Sequence, residues 1–244
     1  MKSISIYLIT LTLIFSCSSQ QEKTEFYPSG KISSKFETNS DGLKNGSYVT
    51  YYENGQKRSE GKYENDKQTG FWITWFENGN KSSEGKFDQG LQSGEWKFYH
   101  KNGKLQQINH YKNNKSEGEF IDFDENGVKT RMGNCINGLL NGKSYEYYPD
   151  GKISSELTYK DHKPFGPFIE YFPSGNFRAK GTWNDTVMVG DYFVYDSIDN
   201  SNYRKYFFYD NNISSDTGLV YKNNKLVQYR IYDADGNSKY VDIK

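Results

Sequence analysis

Three histidines and one internal cysteine are the side chains of this sequence best suited to catalysis or metal binding. His100, His110 and His162 stand at different positions of an internal repeat, and no acidic residue or cysteine accompanies them at a constant spacing. Cys135 stands where the other repeats carry an aromatic residue. Metal sites and activated nucleophiles need several partner groups in a fixed arrangement. We therefore interpret the histidines as exposed strand residues and Cys135 as a small buried thiol, and we assign no catalytic residue.

The segment DFDENG at residues 122–127 resembles the opening of a calcium-binding loop of the EF-hand type. Such a loop places a bidentate glutamate six positions after its glycine. That position is Gly133 here, and Asn126-Gly127 coincides with a glycine that recurs throughout the chain. We therefore predict a turn at this segment and expect neither a metal ion nor a cofactor.

Acidic and basic residues recur together along the repeats. The acids share one repeat position and the lysines lie close to it: Glu60, Glu84 and Glu156, with Lys57, Lys62, Lys81 and Lys86. A catalytic acid–base pair is unique in its protein, whereas these pairs are repeated. We interpret them as ion pairs between neighbouring strands on a solvated face. The sequence also has no P-loop, no dinucleotide-binding fingerprint and no G-x-S-x-G motif, so we predict that the chain is not an enzyme.

The composition restricts the class of protein further. Of the 244 residues, 34% are hydrophobic and 17% are aromatic, which is too rich in rings for a disordered chain. The 31 basic residues balance the 31 acidic ones. The chain therefore lacks the excess of positive charge that would predict nucleic-acid binding. Two cysteines, Cys17 and Cys135, make no disulfide framework.

The amino-terminal segment has the features of an export signal. Its apolar run, Ile4–Phe15, is shorter than the ~20 residues that a membrane-spanning helix needs, but it has the length of a signal-peptide core. The end of the run, Ile14-Phe15-Ser16-Cys17, resembles the lipobox of bacterial lipoproteins. The resemblance implies cleavage before Cys17 and lipidation of its sulfur. We expect a signal peptide at 1–16, a polar tether at 17–25 and a lipid anchor in the bacterial cell envelope; an ordinary secretory signal with an incidental cysteine is the alternative.

An internal repeat of 24 residues runs without insertion from Ser47 to Gly190 and gives six units. Glycine stands at positions nine and 24 of every unit, and positions two and 17 are aromatic in all units but one. Position five is always aromatic: Tyr51, Trp75, Tyr99, Phe123, Tyr147 and Tyr171. Such a fixed period is the signature of a repeat protein, in which each unit buries its apolar residues against its neighbours.

The turn residues predict the local structure of each unit. Asn-Gly fills positions eight and nine in four units, as in Asn54-Gly55, and predicts a two-residue type I′ hairpin turn. Strands are expected at positions one to seven and ten to 17, with a looser turn such as ENDKQTG (64–70) between hairpins. Positions two and five would lie on opposite faces of an ideal strand. Either the strand carries a bulge or both faces bear rings, and the sequence leaves this open.

The predicted fold is all-β: an elongated, single-layer antiparallel meander of 24-residue hairpins. Residues 26–46 form a degenerate first repeat, 47–190 the six regular repeats, and 191–244 degenerate repeats that cap the same sheet. In this segment the sequence suggests turns near Asp199-Asn200 and at Asp235-Gly236.

The pattern in GFWITWFENGNKSSEGKFDQGLQSG (70–94) resembles the MORN repeat, and more closely its bacterial variant, which also occurs in YwqK-like antitoxins. The resemblance covers residues 26–190 and implies a curved single-layer sheet that contacts proteins or membranes. Our leading hypothesis is a membrane-tethered, non-catalytic scaffold for an unknown protein partner. Alternatives are an envelope glycan-binding module and an antitoxin-like partner of a toxin. The candidate partner-binding rings are Trp72, Trp75, Trp96 and Tyr99.

Overall fold

A computed structural model describes residues 20–185, 187–196, 200–208, 218–232 and 238–243. These residues form no helix and fold into one antiparallel sheet of 21 strands. The signal peptide, Cys17, Asp199 and the expected turn at Asp235-Gly236 lie outside the described residues.

The strands follow one another along the chain. The first ten are β1 Gln21–Phe26, β2 Ile32–Thr38, β3 Lys44–Tyr51, β4 Lys57–Glu64, β5 Lys67–Trp75, β6 Lys81–Asp88, β7 Leu91–Tyr99, β8 Leu105–Lys112, β9 Lys115–Ser116 and β10 Gly118–Phe123. The others are β11 Lys129–Ile136, β12 Leu139–Leu140, β13 Gly142–Tyr147, β14 Ile153–Lys160, β15 Lys163–Tyr171, β16 Phe177–Asn184, β17 Val187–Tyr195, β18 Tyr203–Phe208, β19 Leu219–Lys222, β20 Lys225–Tyr232 and β21 Ser238–Asp242.

Strands that follow one another along the chain pair with each other from β1 to β21, except β9 with β10 and β12 with β13. β9 and β10 are two parts of one strand that is interrupted at Glu117. β12 and β13 are likewise two parts of one strand, interrupted at Asn141. At ~4.8 Å per strand, the resulting 19 strand positions extend over roughly 90 Å. The structure thus confirms the predicted all-β antiparallel meander.

The turn at Asn54-Gly55 differs from the prediction. Gly55 N donates to Tyr52 O (2.9 Å), Tyr52 N donates to Gln56 O (2.8 Å), and only Gly55 has a positive φ, +89°. This is a three-residue turn followed by a bulge, which shifts the register between Thr50 and Tyr51. The predicted type I′ turn is wrong because the Asn54 side chain serves another role: its Oδ1 accepts from Gln56 N (2.9 Å) and its Nδ2 donates to Glu77 O of the next unit (3.0 Å).

Two-residue turns occur instead in the connections expected to be loose. Between Glu64 and Lys67, which face each other, Asn65 and Asp66 both have positive φ (48° and 61°), as a type I′ turn requires. The same geometry recurs at Gln89-Gly90, Asn113-Asn114, Asn137-Gly138, Asp161-His162 and Asn223-Asn224. Each following strand therefore starts earlier than predicted, as β5 does at Lys67.

The glycine at position 24 lies inside a strand and not in a turn. Gly70 (φ +67°) belongs to β5, where the pairing of Glu60 with Ile73 and of Lys62 with Thr69 leaves the three residues 70–72 opposite Gly61. Trp72 is therefore the last residue of this bulge.

The sheet starts at Gln21, within the segment assigned to the polar tether. Residues 21–26, assigned largely to the polar tether, form β1, which is held by pairing with β2 and by a hydrogen bond from Ser34 Oγ to Glu25 Oε2 (2.8 Å). At the other end, β17 to β21 continue the same sheet.

Candidate functional site

The sheet has two distinct faces, and rings occur on both. Trp72 and Thr74 point to one side of β5, while Ile73 and Trp75 point to the other, as alternation along a strand requires. We call the side of Trp72 the ring face and the side of Trp75 the opposite face. Both possibilities left open by the sequence are therefore present, because each unit has bulges and also carries rings on both faces.

Aromatic side chains form a continuous stripe on the first half of the ring face. This ring stripe consists of Phe36, Tyr48, Tyr63, Trp72, Phe87, Trp96 and Tyr111. Neighbouring rings meet mostly edge to face, with centroids 5.3 Å apart for Tyr63 and Trp72 and 5.0 Å for Phe87 and Trp96. Each such contact adds about 0.5–1.5 kcal/mol to the burial of its rings, so the stripe serves as the core of a sheet that has no second layer.

Glycine at position 15 makes room for these rings, a role that the sequence analysis missed. A Cβ at Gly61 or at Gly85 would stand 2.3 Å from the indole of Trp72 or Trp96, respectively. The indole nitrogens are satisfied as well, since Trp72 Nε1 donates to Lys62 O (3.2 Å). The recurrence of glycine at Gly61, Gly85, Gly133 and Gly181 is the sequence signal that would have revealed this role.

In the fifth unit the large and small residues exchange places. Ser144 occupies the ring position and faces Leu157, which occupies the glycine position. Ser144 is buried and donates to Met132 O (3.0 Å). Within the described residues, ring–ring contacts on this face stop at Tyr111 and resume at Phe168. Cys135 lies in the same gap; it is half-buried, and burial raises the pKa of its thiol.

A row of hydroxyl side chains runs beside the ring stripe. The hydroxyl row consists of Ser34, Thr50, Ser59, Thr74 and Ser83, each paired with the next across the strands. Thr50 and Ser59 are hydrogen-bonded at 2.6 Å, and Thr74 and Ser83 at 2.7 Å. The row and the stripe line a shallow groove of about 500 Å³ that also includes Arg58 and Phe98.

Beyond Phe98 the same row becomes charged. It continues through Gln107, Asp122, Arg131, Glu146, Ser155 and Glu170. Asp122 accepts from Gln107 Nε2 (2.7 Å) and pairs with Arg131 Nε (2.9 Å). Asp124 accepts from the backbone of Val128 (2.8 Å), which lowers the pKa of its carboxyl group. The two aspartates that suggested a calcium loop thus serve the sheet and the turn, and the described residues hold no group of three or more potential metal ligands.

The four rings predicted to bind a partner do not form one patch. Trp72 and Trp96 lie on the ring face and are only 3% and 4% exposed. Trp75 and Tyr99 lie half-buried on the opposite face. Direct contact between a partner and these two indoles is therefore restricted to the small part of each ring that remains exposed.

Two of the repeated glutamates, Glu60 and Glu84, form ion pairs on the opposite face, but within one strand. Lys81 and Glu84 are 2.8 Å apart, because the bulge after the three-residue turn brings positions 11 and 14 to the same side. The prediction of pairs between strands is wrong for this reason. The hydroxyl of Tyr99 donates to Glu84. Burial pushes the pKa of Glu84 upward, but the hydrogen bonds from Lys81 and Tyr99 outweigh it and the pKa is lowered.

The histidines have structural contacts. His100 Nε2 lies 3.0 Å from Phe123 O, where other units place a tyrosine hydroxyl, as in Tyr52 to Trp75 O (2.7 Å). His110 Nδ1 lies 2.8 Å from Glu119 O, and His162 Nδ1 accepts from Leu140 N (3.0 Å). Each histidine thus connects neighbouring units or strands.

Among the described residues we find no helix with the length and apolarity needed to cross a membrane. No curated protein matches the chain. Solved structures that match include the "Crystal Structure of TcdB2-TccC3-Cdc42", the "Crystal Structure of TcdB2-TccC3-TEV" and the "Structure of Photorhabdus luminescens Tc holotoxin pore" with a TccC3 mutation. Each is 13% identical to this chain, with TM-scores of 0.21–0.23. Each match includes 91% of this chain but only 15% of the length of the other chain.

The family comparison identifies individual hairpins. Residues 44–65, 92–113 and 140–161 match the model of the MORN repeat variant. Each match contains two strands joined by a three-residue turn, as β3 and β4 are. MORN repeats are generally protein- or membrane-interaction repeats and are typically non-catalytic. The chain therefore carries at least three repeats of the MORN variant type within one continuous sheet.

Proposed function

We propose that the chain is a non-catalytic repeat scaffold, tethered to a bacterial envelope membrane through a lipid on Cys17, that binds a protein partner on its ring face. The observation that carries the proposal is the groove between Thr50 and Phe98. It combines the ring stripe with the hydroxyl row, and no other described element covers it.

The composition of this groove suits a protein surface. Protein interfaces are enriched in aromatic residues and arginine and are surrounded by polar groups. Here Tyr63 and Phe98 supply apolar surface, Arg58 supplies a charge, and Gln68 and Gln92 lie among the polar residues of the lining. An extended array of such sites favours a long partner that contacts several units at once.

The proposed anchor fixes one end of the sheet. Because β1 begins at Gln21, the four residues from Cys17 span at most ~14 Å. A lipid on Cys17 would hold the β1 edge of the sheet close to the membrane, with the repeats extending away from it. The balanced net charge of the chain does not favour electrostatic attachment to anionic lipids.

The test uses bulky charges in the groove. The double variant Ser59→Arg/Ser83→Arg should lose a partner that the wild type captures after cross-linking in intact cells, because the groove is filled while the rings remain. Ser47→Arg, which places the same side chain on the opposite face of β3, is the matched control. Equal capture of the partner by the wild type and by the groove variant would contradict the proposal.

Glycan binding is the second candidate, and the hydroxyl row favours it. Adjacent hydroxyls and ring surfaces are the groups that recognise sugars, and Thr50, Ser59 and Thr74 lie within one groove. Retention of the wild type on purified peptidoglycan, with loss in Ser59→Arg/Ser83→Arg, would support this function. Elution of the wild type without retention would exclude it for that glycan.

A further inference from the structure

A second row of residues crosses the opposite face at position three and position 14. In its central part each residue pairs with the next across the strands: Met132, Tyr145, Glu156, Ile169, Lys180, Phe193 and Lys205. All seven are half-buried, and no described element covers them. Polar and apolar residues alternate around Ile169, which stands in the middle of this row.

Two charges in the row have no counter-charge. Glu156 accepts a hydrogen bond from the Tyr171 hydroxyl (2.9 Å), but no cation of the described residues lies within ion-pair distance. Lys180 Nζ lies over the rings of Phe193 (4.9 Å) and Phe177 (5.5 Å), again without a carboxylate among the described residues. The two side chains stand on either side of Ile169, two strands apart.

We propose that this face binds a second copy of the chain, related by a two-fold axis that passes over Ile169 parallel to the strands. This rotation reverses the order of strands, so that Glu156 of each copy faces Lys180 of the other. Because the interface is isologous, the ion pair forms twice. A two-fold axis along the row would instead place each Glu156 against its own equivalent, which like charges oppose.

The apolar residues agree with the same rotation. It places Tyr145 opposite Phe193 and Ile121 opposite Leu219, all residues of the same continuous row. Ile169 faces its own equivalent at the axis. A depression of about 510 Å³ lined by Ile169, Lys180 and Phe193 leaves room for side chains of the second copy.

The surface is large enough for a stable dimer. From Ile121 to Leu219 the row crosses nine strand positions that are ~4.8 Å apart. With a strand length of ~20 Å, the face of each copy that takes part in the contact has an area of roughly 800 Å². That value is the typical contribution of each partner to a specific interface, about 800 Å².

Cross-linking at the axis tests the geometry. Stacked sheets lie ~10 Å apart, too far for a direct disulfide, so a short bismaleimide is the suitable reagent. In the full chain carrying Cys17→Ser and Cys135→Ser, Ile169→Cys should be cross-linked to dimers. Ile73→Cys, at the same repeat position but outside the interface, should not be cross-linked. Equal cross-linking at both positions would overturn the proposal.

Charge reversal tests the contact itself. In sedimentation equilibrium of the full chain, Glu156→Lys and Lys180→Glu should each weaken the dimer at least tenfold, and an equimolar mixture of the two should restore it, because the mixed pair regains both ion pairs. Glu60→Lys and Lys35→Glu, on the same face outside the interface, are the controls. Circular dichroism verifies that each variant is folded. A wild type that is monomeric up to the highest soluble concentration, or folded single variants that do not regain dimers when mixed, would overturn the proposal.

Discussion

The indole of Trp72 lies directly on Gly61 of the neighbouring strand, where a Cβ would stand 2.3 Å from the ring. Gly61 has no positive φ, so its role is to leave space rather than to permit an unusual backbone. The bulge at Gly70 directs the ring toward this space. A single-layer sheet can in this way bury a tryptophan to 3% exposure without a second layer.

The first prediction concerns this pair of residues. Gly61→Leu should lower the free energy of unfolding by about 1–3 kcal/mol or more, because the new side chain overlaps the indole. Adding Trp72→Ser should recover part of the loss, since the smaller side chain leaves space for the leucine. Urea unfolding of the single and double variants gives the coupling between the two sites, expected at about 1–3 kcal/mol. Additive effects would show that the two positions do not share space.

The second prediction concerns the two-residue turns. Gln89 has a φ of +48°, and asparagine tolerates this conformation better than glutamine does. Gln89→Asn should therefore stabilise the protein by about 0.5–1 kcal/mol and create an Asn-Gly type I′ turn with Gly90. Gln56→Asn, the same substitution beside a three-residue turn at a residue without positive φ, is the control and should give no gain in thermal or urea unfolding.

The third prediction concerns alkaline pH. Burial, together with the hydrogen bond to Glu156, raises the pKa of Tyr171 from 10.0 to about 12. Between these values the unfolded chain has released the proton and the folded chain retains it, so stability falls as pH rises from 10 to about 12. Urea unfolding across this range should show a smaller fall for Tyr171→Phe than for the wild type. Glu156→Gln removes the carboxylate and should lower the pKa of Tyr171 in a spectroscopic titration; an unchanged titration would contradict this cause.

The fourth prediction concerns His100, which takes the place of a tyrosine in the contact with Phe123 O. His100→Tyr should preserve stability, because the hydroxyl of tyrosine makes the equivalent contact at Tyr52 and Tyr148. His100→Phe should cost about 1 kcal/mol, the usual value of one hydrogen bond. Phenylalanine fits the position, as Phe76 shows, so the comparison isolates the polar contact. Equal unfolding midpoints for the two variants would refute the assignment.

The fifth prediction concerns Cys17, which lies outside the described residues. Cys17→Ser should release the protein from bacterial membranes while the repeats remain folded, because the strands begin at Gln21. Cell fractionation and the intact mass of the mature amino terminus are the measurements. An unprocessed cytoplasmic chain beginning at Met1 would contradict both the anchor and the proposed envelope function.

The repeat period and the aromatic positions were sufficient to predict the class of fold, but not the geometry of its turns. Asn54-Gly55 is the strongest short signal for a type I′ turn, yet the side chain of Asn54 bonds to the backbone of the next unit. That contact exists only after the units have stacked, so local preference could not reveal it. The two-residue turn at Asn65-Asp66 was not predicted, because it lacks the glycine that usually marks a type I′ turn.

The candidate surface was predicted less well than the fold. The assignment of Trp72 and Trp75 to one patch assumed that neighbouring rings share a face, whereas they lie on opposite sides of β5. The glycine at position 15 was visible in the sequence, but its meaning depends on the bulge at Gly70, which changes which residues face each other. The ion pairs of the opposite face, such as Lys81 with Glu84, depend on a bulge in the same way.

The break in the ring stripe at Ser144 has a mechanical consequence. In a linear array each unit is stabilised only by its neighbours. The junctions between units therefore bear a load in series, and the weakest junction sets the force that the whole sheet resists. Between Tyr111 and Phe168 the described residues make no ring–ring contacts on the ring face, and backbone pairing with smaller side chains joins the units there. The sheet is thus two cooperative blocks connected by a softer joint. Tension along the sheet would open this joint before the ring-packed junctions of the first block.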